Sequence, residues 1–166
     1  DRLLPWRFVQ VPDAARPWLA DVFGQALQAR DTQASAEQLA QARDKAFRAP
    51  VLLLVVVDTR RGDPEVDLYE RLVSTGCAVQ NMLLMATAFG YGSALTSGKA
   101  LKAQGLRALF GLEEGEHALC FASIGNVVSR KPGRPRPVPN DYVGTLQAPG
   151  RVVPGFESTT PRKETA

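Results

Sequence analysis

The chain has 166 residues, 45% of them hydrophobic, and a formal net charge of +3. That length fits one domain, with a tail, and enough apolar surface for a core that needs no disulfide or metal staple. Its 20 Lys and Arg are interspersed with 17 acids, so nucleic-acid binding is not demanded, while the slight cationic excess suits small anionic ligands.

Arg7-Phe8-Val9-Gln10-Val11 alternates apolar and polar residues and stops at Pro12-Asp13, the pattern of a strand. Pro17 suits the first turn of a helix, and Trp18, Leu19, Val22, Phe23 and Leu27 follow at helical spacing. Ser35-Ala36-Glu37-Gln38 has the pattern of a capping box, opening a second helix expected to run to about Phe47. Ala49-Pro50 stops it, because Pro disfavours helical geometry in the residue before it. Val51 to Val57 is continuous, apolar and rich in β-branched residues, as in a central strand covered on both faces.

Asp58 to Asp67 is a polar loop with Gly62 and Pro64. Its acids, Asp58, Asp63, Glu65 and Asp67, with Glu70 just beyond, read as solvated rather than as a catalytic carboxylate pair. Leu68 to Phe89 is a long helix, apolar around much of its circumference, which places it in the core or at a subunit interface. Lys99 to Phe110 reads as helical, weakened at Gly105 and stopped at Gly111, and Ala118 to Ile124 as a second central strand. Arg130 to Asn140 is a basic, Pro-rich loop. Residues 147–166 form an arm or tail, of which Ser158 to Ala166 is polar and expected to be disordered. The order of strands and helices is α+β or α/β.

Cys77 and Cys120 both sit in apolar runs and read as buried free thiols. His117 is the only histidine, which argues against a zinc site and against a histidine-assisted hydrolase. No metal ligands are assigned. The run Val51 to Val57 is too short to span a bilayer, and no basic-then-apolar leader opens the chain, so a cytoplasmic protein without a membrane partner is expected. No GxGxxG follows a strand and no Walker lysine is present.

The most informative stretch is Gly76 to Gly98, an apolar helix, then Gly90-Tyr91-Gly92, then the small-residue segment Ser93-Ala94-Leu95-Thr96-Ser97-Gly98. Small residues let backbone approach a flat ligand and bond its edge. Together with Leu3-Leu4-Pro5-Trp6-Arg7-Phe8 and Arg134-Pro135-Arg136-Pro137, this stretch resembles the FMN-dependent nitroreductase family, over most of residues 1–146.

The resemblance implies an α+β sandwich, a central, mainly antiparallel sheet flanked by helices, assembled as a homodimer with flavin sites at the subunit interface. It implies a flavin-binding domain over 1–146, with 147–166 as the arm. Its cofactor would be FMN, with NADH or NADPH as hydride donor. Carried onto this chain, the flavin ring would lie against Leu95, Thr96, Ser97 and Gly98, with Arg2 and Leu4 near it, and Arg134 and Arg136 on the phosphate. Arg130 and Lys131 are weaker candidates for the phosphate. Met85, Ala86, Thr87, Ala88, Phe89 and Gly90 would contact the nicotinamide nucleotide.

Leu95-Thr96 stands where some relatives carry Trp-Arg, a change that bears on the choice of acceptor. Relatives have helices ahead of the position where this chain opens at Asp1, including an Arg-rich segment on the flavin phosphate. Asn140-Asp141-Tyr142-Val143 resembles the closing strand that packs on the partner subunit. The implied activity is ping-pong transfer of hydride from NAD(P)H through flavin to an electron-poor acceptor such as a nitroaromatic or quinone, with no catalytic side chain. The alternatives are a reductase of another acceptor such as an enone, or a flavin- or nucleotide-binding protein without turnover.

Overall fold

A computed structural model describes residues 4–129, 133 and 135–156. The chain divides into two compact units, residues 1–128 and 129–166. The first is built on a four-stranded sheet of β1 (Trp6–Gln10), β2 (Val51–Asp58), β3 (Gly92–Thr96) and β4 (Glu116–Gly125). Their spatial order is β1-β2-β4-β3 and every pairing is antiparallel. The helices are α1 (Arg16–Arg30), α2 (Ala36–Asp44), α3 (Leu68–Ala88) and α4 (Gln104–Phe110). This is the α+β arrangement expected, with β2 in the interior of the sheet as its β-branched run requires.

The caps explain where the helices start and stop. Ser35 Oγ accepts from Gln38 N at 3.2 Å while the Gln38 side chain accepts from Ser35 N at 2.8 Å, the reciprocal box read from the sequence. Asp67 and Glu70 form a second box at the head of α3, at 2.9 and 3.2 Å. Helix α2 is shorter than expected: it ends at Asp44, and a 3-10 turn, Lys45–Phe47, fills the gap before Pro50. The segment 99–110 is likewise two pieces, a 3-10 turn at Lys99–Lys102 and then α4, with the break at Ala103 rather than Gly105. Gly111 closes α4 in the left-handed conformation, at φ 56°, where a Cβ would be strained.

Alternation along β2 assigns the two faces of the sheet. Leu52, Leu54 and Val56 join Leu19, Ala20, Ala46, Leu106 and Phe121 in one buried cluster under α1 and α4. Phe23 on α1 meets Phe121 edge to face, with ring centroids 5.6 Å apart. Val55 and Val57, also fully buried, alternate with that set and face the other side, where Trp6 Nε1 donates to Ser74 Oγ of α3 at 3.2 Å.

Helix α3 is not the core helix its composition suggested. Only Arg71, Thr75, Val79 and Ala86 are buried, a narrow stripe against the sheet, while Tyr69, Val73, Leu84 and Met85 are more than half exposed. Helical periodicity reports how apolar a surface is, not whether one chain supplies enough partner to cover it. The cysteines depart from expectation as well. Cys77, on α3, is exposed, and Cys120 is only partly buried, though burial still raises its thiol pKa.

Three arginines fasten the ends of the central strands through carbonyl oxygens. Arg16, 2% exposed, donates to Ala46 O, Ala49 O and Pro50 O at 2.7, 2.8 and 2.8 Å, just before β2. Arg71, 1% exposed, donates to Asp58 O, Arg61 O, Asp63 O and Val66 O, just after it. Arg107 donates to Leu112 O, Glu113 O and Glu116 O at the entry of β4. The loop acids play the modest part expected of them. Asp58 Oδ1 accepts from Arg60 N and Arg61 N, and Asp63 Oδ1 from Glu65 N.

In the second unit, β5 (Gly144–Ala148) pairs antiparallel with β6 (Arg151–Pro154), and Thr145 Oγ1 donates to Gly155 O at 2.7 Å. The closing strand expected at Asn140-Asp141-Tyr142-Val143 is instead a 3-10 turn at Pro139–Asp141, with Tyr142 N and Val143 N both donating to Pro139 O. The Pro and the Asp141 side chain, which accepts from Val138 N at 3.0 Å, favour that turn, and the strand starts at Gly144. The polar tail Ser158 to Ala166 lies outside the described residues, as do Arg130 and Lys131.

Candidate functional site

A cavity of about 290 Å³ in the first unit lies on the α1 side of the sheet. Its apolar surface comes from Phe23 and Leu27 of α1, Ala42 of α2, Leu52, Leu101 and Phe121. Thr96, Ser97 and Gly98 line it as well, so the segment singled out by its small residues does reach a cavity. No acceptor among the described residues takes the N–H of Ser97 or Gly98, whereas Gly98 O accepts from Leu101 N. These two donors remain free for a ligand edge.

Leu95 and Thr96 do not act alike. Thr96 pairs with Phe121 across β3 and β4, so its side chain shares the cavity face, while Leu95 pairs with Ala122 and points to the α3 side. Only Thr96 lines the cavity.

Arg30, Lys45, Arg48 and Lys99, all four exposed, also line it, with Ala100 and Ser123, and there is no Asp or Glu among the lining residues. Sequence reading assigned none of these four. They come from the C-terminal turn of α1, the 3-10 turn after α2 and the residues beyond β3, and only the fold brings them together. Each alone is an ordinary cation at or just beyond the end of an element, so no signal in the sequence singled them out.

The remaining assigned residues lie elsewhere or outside the described set. Leu4, 52% exposed, lines a separate and much smaller depression beside Trp6, Arg7 and Glu116. Met85, Ala86, Thr87, Ala88, Phe89 and Gly90 form the end of α3 and the turn after it, and none lines the cavity. Ala86 is buried there, and Gly90 has φ 83°. Arg136 is exposed in the second unit, while Arg2 and Arg134 lie outside the described residues.

The depression at Leu4 holds the best-made ion pair. Arg7 Nε and Nη2 donate to the two Glu116 carboxylate oxygens at 2.6 and 2.9 Å, across β2. Glu116 also accepts from Glu113 N at 3.1 Å. The bonds from Arg7 hold the Glu116 carboxyl below the usual carboxylate range, against the opposing effect of burial. Among the described residues no group of His, Cys, Asp and Glu could hold a metal ion, and no helix is long and apolar enough to cross a membrane.

The fold is one that solved structures share. A nitroreductase-like family protein from Bacillus cereus superposes with a TM-score of 0.72 at 18% identity, covering 87% of this chain and 74% of that one. The NADPH:FMN oxidoreductase from Vibrio harveyi, in complex with NAD+, superposes with a TM-score of 0.57 at 21% identity, covering 81% of this chain and 56% of that one. In sequence, 121 residues are 30% identical to the Escherichia coli K12 protein named "Putative NAD(P)H nitroreductase YdjA", 73% of this chain and 64% of that protein. The chain thus spans less than two thirds of that relative's length. Residues 2–126 match the Nitroreductase family, and the chain belongs to it.

Proposed function

We propose that this chain is the flavin-binding part of an NAD(P)H-dependent FMN oxidoreductase. The observation that carries the reading is the meeting of the 96–98 segment, with its two free N–H donors, and a cavity of about 290 Å³ whose walls are Phe23, Leu27, Leu52 and Phe121. That size sits at the lower end of small-molecule sites, ~300–1,000 Å³, and the apolar walls with a few polar groups at one edge match what a flat ring needs. The residues present therefore fit the flavin ring. When bound, FMN would supply the redox chemistry for ping-pong hydride transfer from NADH or NADPH to an electron-poor acceptor such as a nitroaromatic or quinone.

The chain's own residues hold and orient. The Ser97 and Gly98 N–H groups would offer donors to the ring edge, Thr96 lines the same space, and the apolar walls would pack against the ring. Arg134 and Arg136 are the proposed phosphate ligands, Arg2 and Leu4 the proposed contacts near the ring, and the 85–90 segment the proposed nucleotide contact. The exposed apolar stripe of α3, carrying Tyr69, Val73 and Leu84, is proposed to be covered by a second copy of the chain.

The test is FMN uptake followed by anaerobic bleaching with NADH or NADPH and recolouring with a quinone. Thr96→Ala should keep FMN within about threefold of the parent affinity, since a neutral hydroxyl contributes only ~1 kcal/mol. Thr96→Pro should lose FMN or slow bleaching, because the ring fixes φ and deforms the strand end that presents the two donors. A folded Thr96→Pro protein with parental uptake and bleaching would remove 95–98 from the site.

A further inference from the structure

Ser123 is a polar residue on the sheet floor of the cavity, where its neighbours are apolar. It lies on β4, an interior strand, and is partly buried. It stands opposite Leu52 of β2 on one side and Ala94 of β3 on the other, and Phe121 shares its face two residues earlier. Among the described residues its hydroxyl has no hydrogen-bond partner, unlike those of Ser35, Ser74, Thr75 and Thr145. The sheet does not supply one, because β4 is paired along both edges and its peptide groups are committed to those ladders. Thr96, opposite Phe121, is the diagonal neighbour of Ser123 at roughly 7 Å, so the hydroxyl sits beside the 96–98 segment.

In the open cavity water can satisfy this hydroxyl. A flat ligand seated on the floor displaces that water, and a hydroxyl left unmet under an apolar ring carries a desolvation cost. With the ladders closed on both sides, the partner that removes the cost is a polar atom of the ligand itself.

We propose that Ser123 is a flavin-binding residue whose hydroxyl bonds the isoalloxazine ring rather than the ribityl phosphate chain. The inference deepens the flavoenzyme reading and rests on it: if Ser97 and Gly98 bond the ring edge, the ring covers the floor next to them, where Ser123 stands. A hydroxyl rotates to suit its partner, donating to a ring carbonyl oxygen or ring nitrogen, or accepting from a ring N–H. Unlike the two backbone donors, it can be deleted without altering the strand.

The experiment measures affinity for FMN, riboflavin and lumiflavin, the last being the ring without the ribityl chain, by quenching of flavin fluorescence. Ser123→Ala should weaken all three by a similar factor, about fivefold, as expected for one neutral hydrogen bond. The visible absorption bands of the bound flavin should move in the same variant, because the contact is to the ring. Ser123→Thr keeps the hydroxyl and suits a strand, and should stay within about twofold of the parent. In flavin-free protein the hydroxyl has no protein partner to lose, so Ser123→Ala should melt at the parental temperature within about 1 °C.

Parental affinity and unmoved bands in Ser123→Ala would overturn this inference and leave the flavoenzyme reading standing. A loss seen with FMN and riboflavin but not with lumiflavin would overturn it too, by placing the hydroxyl on the ribityl chain. A matching fall in the melting temperature of the flavin-free variant would overturn it in favour of a structural role. A parent protein that binds none of the three flavins would overturn both readings.

Discussion

Replacing Arg16 by Met would strip three hydrogen bonds from the turn that leads into β2 while keeping most of the apolar stem. The guanidinium is 2% exposed and bonds Ala46 O, Ala49 O and Pro50 O at 2.7–2.8 Å. Its nearest carboxylate, Asp13, is 3.6 Å from Nε and almost fully exposed, so that pair adds little, and Nε itself has no hydrogen-bond partner. Hydrogen bonds to charged groups contribute ~1.5–3 kcal/mol each, and the loss is sub-additive because Pro50 O can turn to water while Ala46 O cannot. The expected cost is about 3 kcal/mol, or a fall in Tm of about 6–12 °C for a chain of this size. Arg16→Lys should recover only about a third of that, because a single ammonium cannot reproduce the fork. Urea and thermal melts of the three proteins supply the numbers. A loss under ~1 kcal/mol for the Met variant, or full recovery by Lys, would refute the claim that carbonyl capture by a planar fork holds this turn.

Two further outcomes follow from particular contacts. Glu116 has its folded pKa depressed by Arg7, so its contribution is complete above the unfolded carboxylate range and is lost as pH falls through the lower folded value. The stability gap between parent and Glu116→Gln should therefore be constant from pH ~6 to 8 and close below pH ~4, and a gap that persists at pH ~2.5 would show that the pair is not its source. If a second copy covers α3, Val73→Lys, placed on the 66% exposed face, should convert a dimer to a folded monomer at micromolar concentration in light scattering. A parent protein that is already monomeric would end that reading.

What could be read from the sequence was what short-range chemistry specifies. The β-branched run 51–57 became the interior strand, Ser35 and Gln38 made their box, and Gly111 stopped its helix where a left-handed residue was needed. Composition misled at α3, because an apolar circumference is equally a core helix or an interface, and only the position of the sheet decides how much of it is covered. The site divided along the same line. The 96–98 segment was visible as small residues after a glycine turn, and it does reach the cavity. Arg30, Lys45, Arg48 and Lys99 were not visible, since each alone is an ordinary surface cation and their convergence depends on how α1, α2 and β3 end. Residues 85–90 and Leu4 were placed by resemblance, and within this chain neither reaches the cavity lined by 96–98.

The arginines at the ends of β2 and β4 bear on which alignment of the sheet is adopted. Leu52, Leu54 and Val56 on one face of β2, and Leu53, Val55 and Val57 on the other, are nearly interchangeable in shape. A slide of one residue would exchange the faces, but a slide of two would restore them, with almost the same apolar surface covered. Side-chain packing alone therefore leaves the two-residue alternative close in energy. Arg16 grips carbonyls up to Pro50, immediately upstream of Val51, and Arg71 grips Asp58 O at the far end, so β2 is measured off at both ends by fixed points eight residues apart. Arg107, on Glu116 O, indexes β4 in the same way. Sliding either strand would break charge-assisted bonds that the homogeneous interior cannot replace, which makes these cations the graduations of an otherwise unmarked scale.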